Sequence, residues 1–277
     1  MIIKRKLFSE KEKKSSSNDT NSKAKGAEVA IAGTVGNTIL GIKAKKHMKG
    51  ENTKEGEELF DKVRRLATKK NIKVDEVSKT GLGPAYANNT IYSDGTKWRV
   101  GVDDLKTGYG RHGDLISHEF GHAHFDKGKA KGIGEKIGKA AHKVYLKGGA
   151  LQHTVLAPVG GIIAGTRSGK KAAEKEAAGE KESKLSRHSA WGTSLAIQTP
   201  RLVSEAAASK YGYNVLKKAG ASKKYLKGSK KNLATAFGTY ATMAAANAGL
   251  GELARGRAYK KRKKELEKEK NKKKDDK

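Results

Sequence analysis

The chain contains no cysteine. That excludes a disulfide scaffold and any zinc site built on thiolates. Aromatic residues make up only 6% of the 277 residues, so the core they can fill is modest. Acids are outnumbered by 29 to 60, leaving a net charge of +31. The start of the chain lacks the apolar run of a signal peptide: Ile2 and Ile3 pass straight into Lys and Glu. On that reading the protein is expected in the cytoplasm or on the cytoplasmic face of a membrane. Strongly apolar residues are sparse even where charge is absent.

One stretch carries a chemical signature. Residues Asp114–Phe125 include His118-Glu119-x-x-His122. Residues four apart lie on one helix face, so His118 and His122 can aim two imidazoles at one ion. Glu119 reaches the same side and can take a proton from a water that the metal activates. Leu115, Ile116 and Phe120 supply an apolar face, and Asp114 suits the helix start. Gly121 weakens a helix by about 1 kcal/mol against alanine, which implies a close neighbour.

Along the chain, residues 1–25 read as a disordered basic tail. Residues 29–42 are uncharged but short, and read as a core or membrane-surface helix. Residues 55–70 read as an amphipathic helix whose stripe is Leu59, Phe60, Val63, Leu66 and Ala67. Ile72–Val74, Ala85–Ala87, Ile91–Tyr92 and Lys97–Val102 are extended candidates, with Trp98, Val100 and Val102 alternating. A small antiparallel sheet before the motif helix is expected. Residues 26–254 are expected to form one domain. Gly/Ala-rich segments 127–200 and 232–251 are inserted in it, of a length that suits association with a membrane and of an apolarity that does not. Residues 255–277 form a second basic tail, helical or disordered. The tails suit an anionic membrane surface and non-specific contact with nucleic acid, although no nucleic-acid-binding fold is recognised.

This order of elements, with Pro84-Ala-Tyr-Ala87, Val100-Gly-Val102 and Asp114–His122, resembles the HtpX-like and CAAX-prenyl-endopeptidase group of gluzincin metallopeptidases. The resemblance implies an α+β, mostly helical fold. Its zincin-like core would carry a small antiparallel sheet and extra Gly/Ala-rich helices. It implies a zinc-dependent endopeptidase with Glu119 catalytic, Zn2+ as cofactor, and a peptide substrate docked along Ala85, Tyr86 and Ala87. Pro84 stands where the group has Asn. A third ligand, a Glu from a later helix, is implied, and Glu205 in Arg201–Tyr213 fits best, followed by Val215–Gly220. Glu135 is the runner-up. The alanines 206–208 would let that helix pack beside Gly121. Ser209 replaces the group's acid and brings no charge to support a ligand. Tyr211, Tyr213 and Arg201 are candidates for stabilising an oxyanion. His112, His124, His142, His153 and His188 read as surface or core histidines. The competing expectation is a basic membrane- or nucleic-acid-associated structural protein, such as a viral particle component, with a degenerate metallopeptidase fold. The intact Glu119 argues against it.

Overall fold

A computed structural model of the chain describes residues 39, 54–70, 113–127, 132–148 and 155–276, together with the strand residues 72–77, 90–93 and 98–103. The basic N-terminal tail, the 29–42 run apart from Ile39, and Ala85, Tyr86 and Ala87 lie outside the described residues.

Helix α1 (Lys54–Thr68) opens with Glu55 and Glu57 and carries Arg65 in its last turn, the order that suits the helix dipole. It buries Leu59, Phe60, Val63 and Ala67, a stripe repeating at helical spacing. Leu66, expected in that stripe, stays 36% exposed. Strands β1 (Ile72–Val77), β2 (Thr90–Ser93) and β3 (Trp98–Asp103) follow. Helix α2 (Gly113–Lys127) then carries the His-Glu motif, and α3 (Ile133–Gly148) follows it. The remainder is α4 (Ala157–Ala177), the single turn α5 (Lys184–Arg187), α6 (Ser189–Lys218) and α7 (Lys223–Asp275).

The expected α+β zincin-like core with a small antiparallel sheet is corrected here. Of the residues described with their side chains, Ile72 alone belongs to a strand, and nearly all the rest are helical. The three short strands run in the order β1-β3-β2, so the ladder is mixed. β1 pairs with β3 in parallel, Ile72 facing Trp98, while β2 pairs antiparallel, Thr90 facing Gly101. The reason is connection length. Four residues separate β2 from β3 and permit a hairpin, whereas the long passage from β1 to β3 permits a parallel crossover.

The chain divides into two compact units. One comprises residues 36–148 and 199–241, and its core joins α1, α2, the end of α6 and the start of α7. Leu59, Phe60, Val63, Ile72, Ile116, Phe120, Leu216 and Tyr225 are its buried members. Burying each large apolar side chain contributes about 1.5–3 kcal/mol. Asp114, itself buried, closes this unit at the start of α2. It accepts from its neighbour Leu115 N at 3.1 Å and from Asn232 Nδ2 of α7 at 3.0 Å. Helix α6 ends at Gly220, whose φ of 84° lies in the left-handed region, and the Ala221 N–H donates to the Leu216 carbonyl at 3.1 Å.

The described residues of the other unit are 155–198 and 242–276. In it α4 lies against α7 with almost no side chain between. A Cβ on Gly165 or Gly169 would collide with the carbonyl oxygens of Gly251 and Arg255. Arg255 pairs with Glu182 at 2.6 Å, and Arg262 with Glu174 at 2.9 Å. The expected basic tail is helical through Asp275, as the end of α7. Among the described residues no helix is long and apolar enough to cross a membrane. One boundary between the units falls within α6 after Gln198, next to Pro200, and another within α7 after Ala241. Proline has no N–H for the carbonyl one turn back, so α6 lacks one rung there.

Candidate metal centre

One face of α6 repeats as Arg201, Ser204, Glu205, Ala208, Ser209 and Gly212, at spacings of three and four. One face of α2 repeats as Asp114, Ser117, His118, Gly121, His122 and Phe125. The two faces meet closely because glycine stands at both crossings. A Cβ on Gly121 would lie 2.5 Å from the Ala208 carbonyl oxygen, and one on Gly212 would lie 2.7 Å from that of Ser117. The expected packing of small residues beside Gly121 is therefore present, with Ala208 as the contact. Helix α3 joins through Gly138, where a Cβ would stand 2.8 Å from that of Ala207.

This approach brings His118, His122 and Glu205 together. One ligand atom from each lies within 4.8 Å of the others. Glu205 Oε2 is 3.2 Å from His118 Nε2 and 3.4 Å from His122 Nε2. The rings of His118 and His122 stand edge to face, with centroids 4.8 Å apart. His122 and Glu205 are buried and His118 is partly open. The Nδ1 atoms face hydroxyls. Ser209 Oγ is 3.2 Å from His118 Nδ1, and Ser204 Oγ is 3.4 Å from His122 Nδ1. A single helix thus supplies the acid and both hydroxyls.

The electrostatics follow from burial and from this pairing. Burial pushes the Glu205 carboxyl up, but the two histidines and their hydrogen bonds outweigh it and hold it well below the usual carboxylate range. Burial opposes charge on His118, yet the Glu205 hydrogen bond and the charges of Glu119, Glu205 and Asp114 raise its pKa. Burial raises Glu119 too, against the pull of His118 and His122. Glu119 remains half-buried.

The donor chemistry suits zinc. Zinc takes His nitrogen and carboxylate oxygen at about 2.0–2.2 Å in a tetrahedron, which sets donor atoms about 3.3–3.6 Å apart. The two nitrogen–oxygen separations, 3.2 and 3.4 Å, are those of hydrogen-bonded pairs near that edge, and the three donor atoms span up to 4.8 Å.

Other expected residues fall elsewhere. Glu135 sits in the first turn of α3 and is not part of the cluster. His124 stacks on Tyr211 at 4.0 Å, and Lys70 Nζ donates to the Tyr211 hydroxyl at 3.2 Å. Arg201 Nε lies 3.9 Å from Glu205 Oε1, and its guanidinium lies 4.3 Å over the Tyr240 ring. Burial raises the pKa of Tyr145 and of Tyr240, and the charges of Glu205 and Glu119 add to the rise. Both phenols therefore keep their protons and belong to the electrostatic surroundings of the cluster. Sequence reasoning missed them, and it read His142 as an ordinary histidine. His142 is 2% exposed, stacks on His122 at 5.2 Å, and lies 2.9 Å from Ser204 Oγ through Nδ1. The available signal was the spacing of Gly138, His142 and Tyr145 along one face of α3.

No protein-family model matches the chain, and no curated protein or solved structure matches it either.

Proposed function

We propose that the chain is a zinc-dependent endopeptidase that hydrolyses peptide bonds at the His118, His122 and Glu205 cluster. The observation that carries this reading is the convergence of those three ligand atoms within 4.8 Å, from two helices 87 residues apart in sequence, with Glu119 beside them. The resemblance of Asp114–His122 and Arg201–Gly220 to the HtpX-like group points the same way.

Zinc bound there supplies Lewis acidity, lowering the pKa of a water and polarising a carbonyl. The protein's own residues do the rest. His118 and His122 present Nε2 lone pairs while Ser209 and Ser204 hold the opposite ring nitrogens. Glu205 adds one negative charge and needs no proton removed, because its pKa is already low. Glu119 acts as general base. It takes the proton of the attacking water as the new carbon–oxygen bond forms, then delivers it to the nitrogen as the carbon–nitrogen bond breaks. Burial, by raising its pKa, brings that carboxylate nearer neutrality, where a base works best. Tyr240 and Arg201, which stand in the electrostatic surroundings of the cluster, are candidate donors to a developing oxyanion.

The test is elemental analysis with peptide cleavage. Purified protein is expected to hold about one zinc per chain. Glu205→Ala is expected to lower that content and abolish cleavage. Undiminished zinc in Glu205→Ala, or cleavage by zinc-free protein, refutes the assignment.

A further inference from the structure

Behind the cluster, beyond Ser204, lies a buried histidine that the hydrolytic reading does not use. Ser204 is fully buried on α6, one residue before Glu205. Its hydroxyl lies between two ring nitrogens, 3.4 Å from His122 Nδ1 and 2.9 Å from His142 Nδ1. The His142 ring lies nearly parallel to that of His122, at 26° and 5.2 Å. His142 Nε2 is buried without a hydrogen-bond partner. Three helices meet here: α2 brings His122, α6 brings Ser204 and α3 brings His142.

We propose that Ser204 and His142 are a positioning pair that fixes the tautomer and ring orientation of His122 for the cation held by His118, His122 and Glu205. The inference rests on the metal reading given above. A histidine can offer Nε2 to a cation only if its remaining proton sits on Nδ1. That proton needs an acceptor in a site where water is excluded. A serine hydroxyl can accept one hydrogen bond and donate another. Ser204 therefore accepts from His122 Nδ1–H and donates its own proton to His142 Nδ1. His142 must then be uncharged, with its proton on Nε2. Its burial, with 2% of its surface exposed, favours the uncharged state. The stacked ring also blocks the sideways swing of His122.

The arrangement differs on the other histidine. His118 Nδ1 meets Ser209, a half-buried hydroxyl. His122 has the buried arrangement, with both its hydroxyl partner and its ring neighbour shielded. His122 is thus the better-fixed ligand, and losing its partners costs affinity rather than fold.

The experiment is a zinc competition titration against a chromophoric chelator, on the full chain. Ser204→Ala removes the hydroxyl; His142→Phe keeps a stacking ring and removes the acceptor. Each is expected to weaken zinc binding by about 10- to 100-fold, the range for partners of a metal-bound histidine. The double variant is expected to be no weaker than the worse single one, because both changes cut one chain. Cobalt-substituted protein is expected to show shifted visible bands in both variants, while the metal-free melting temperature of His142→Phe stays near that of wild type. If Ser204→Ala does not fold, His142→Phe carries the test. Wild-type affinity and unshifted cobalt bands in the folded variants overturn the pair and leave the metal reading standing. Wild-type protein that binds no zinc overturns both. Additive losses in the double variant also overturn the pair, by making the two residues independent.

Discussion

Gly121 and Ala208 touch through backbone alone: a Cβ at position 121 would stand 2.5 Å from the Ala208 carbonyl oxygen and 2.8 Å from its Cα. No rotamer change relieves such a clash, because both atoms belong to a helix backbone. Gly121→Ala must therefore push α6 away from α2. Alanine returns about 1 kcal/mol of helix propensity, while overpacking costs about 1–3 kcal/mol. The expected outcome is a loss of up to about 2 kcal/mol in urea unfolding of the metal-free protein. Zinc affinity is expected to fall as well, since the same displacement separates Glu205 from His118 and His122. A variant as stable as wild type with unchanged affinity would mean that the helices are not this close.

Glu119→Gln separates holding the ion from using it. Glutamine keeps the size and a carbonyl oxygen but cannot accept and return a proton at neutral pH. Zinc content is expected to remain near that of wild type, because Glu119 is not one of the three clustered donors. Peptide cleavage is expected to drop by about 10²- to 10⁴-fold, the usual contribution of a general base. The check is a rate assay with zinc content measured on the same sample.

What the sequence made legible was local chemistry. The spacing of His118 and His122 dictated a shared face, and the apolar positions of α1 dictated its buried stripe, with Leu66 as the member that stayed exposed. Sheet topology was not legible. Alternation in Lys97–Val102 signals an extended chain but says nothing about which neighbour it pairs with, or in which direction. The antiparallel expectation took strands in chain order, and β3 instead runs between β1 and β2. Nor was the length of α7 visible, because its composition changes from apolar to basic without a residue that stops a helix. The Gly/Ala-rich segments, whose length suits a membrane and whose apolarity does not, make close helix contacts, as at Gly165. His142 was missed because a lone histidine on an amphipathic helix carries no sign of its partner until α3 and α6 are brought together.

The pH dependence of the metal-free protein follows from His118 and Glu205. His118 has a folded pKa above its usual value of about 6.5, so its contribution is full below that pH and is lost as pH rises through the folded value. Glu205 has a depressed folded pKa, so its contribution is present above about 4.3 and is lost as pH falls through the lower folded value. Glu119, raised by burial, contributes stability that is full below about 4.3 and is lost as pH rises through its folded value. Metal-free protein is expected to melt highest between about pH 4.5 and 6.5 on account of this cluster. Zinc should reverse the trend near neutrality, because the histidines must shed their protons to bind it. The rise in melting temperature on adding zinc is expected to grow from pH 6 to pH 8. Calorimetric scans with and without zinc check both slopes, and a zinc increment that shrinks over that range would contradict the His-ligated site.

Arg255 and Glu182 test the other compact unit. Their 2.6 Å ion pair is shielded, with each side chain 11% exposed, and Glu182 also accepts from Ser186 Oγ at 3.2 Å. Arg255 Nε is buried without a hydrogen-bond partner; Glu182 is its ion-pair partner, and Glu252 is the other acid that feels its charge. Removing one partner of a shielded pair strands the other charge, which costs about 3–5 kcal/mol, while replacing both removes the stranded charge. Glu182→Gln is therefore expected to destabilise the protein by a few kcal/mol in urea unfolding. Arg255→Met combined with Glu182→Gln is expected to recover more than half of that loss, since methionine fits the apolar stem of the arginine and leaves no charge to desolvate. Equal stability of Glu182→Gln and wild type would show that solvent reaches the pair. A double variant worse than either single one would show that the arginine acts through packing rather than through its charge.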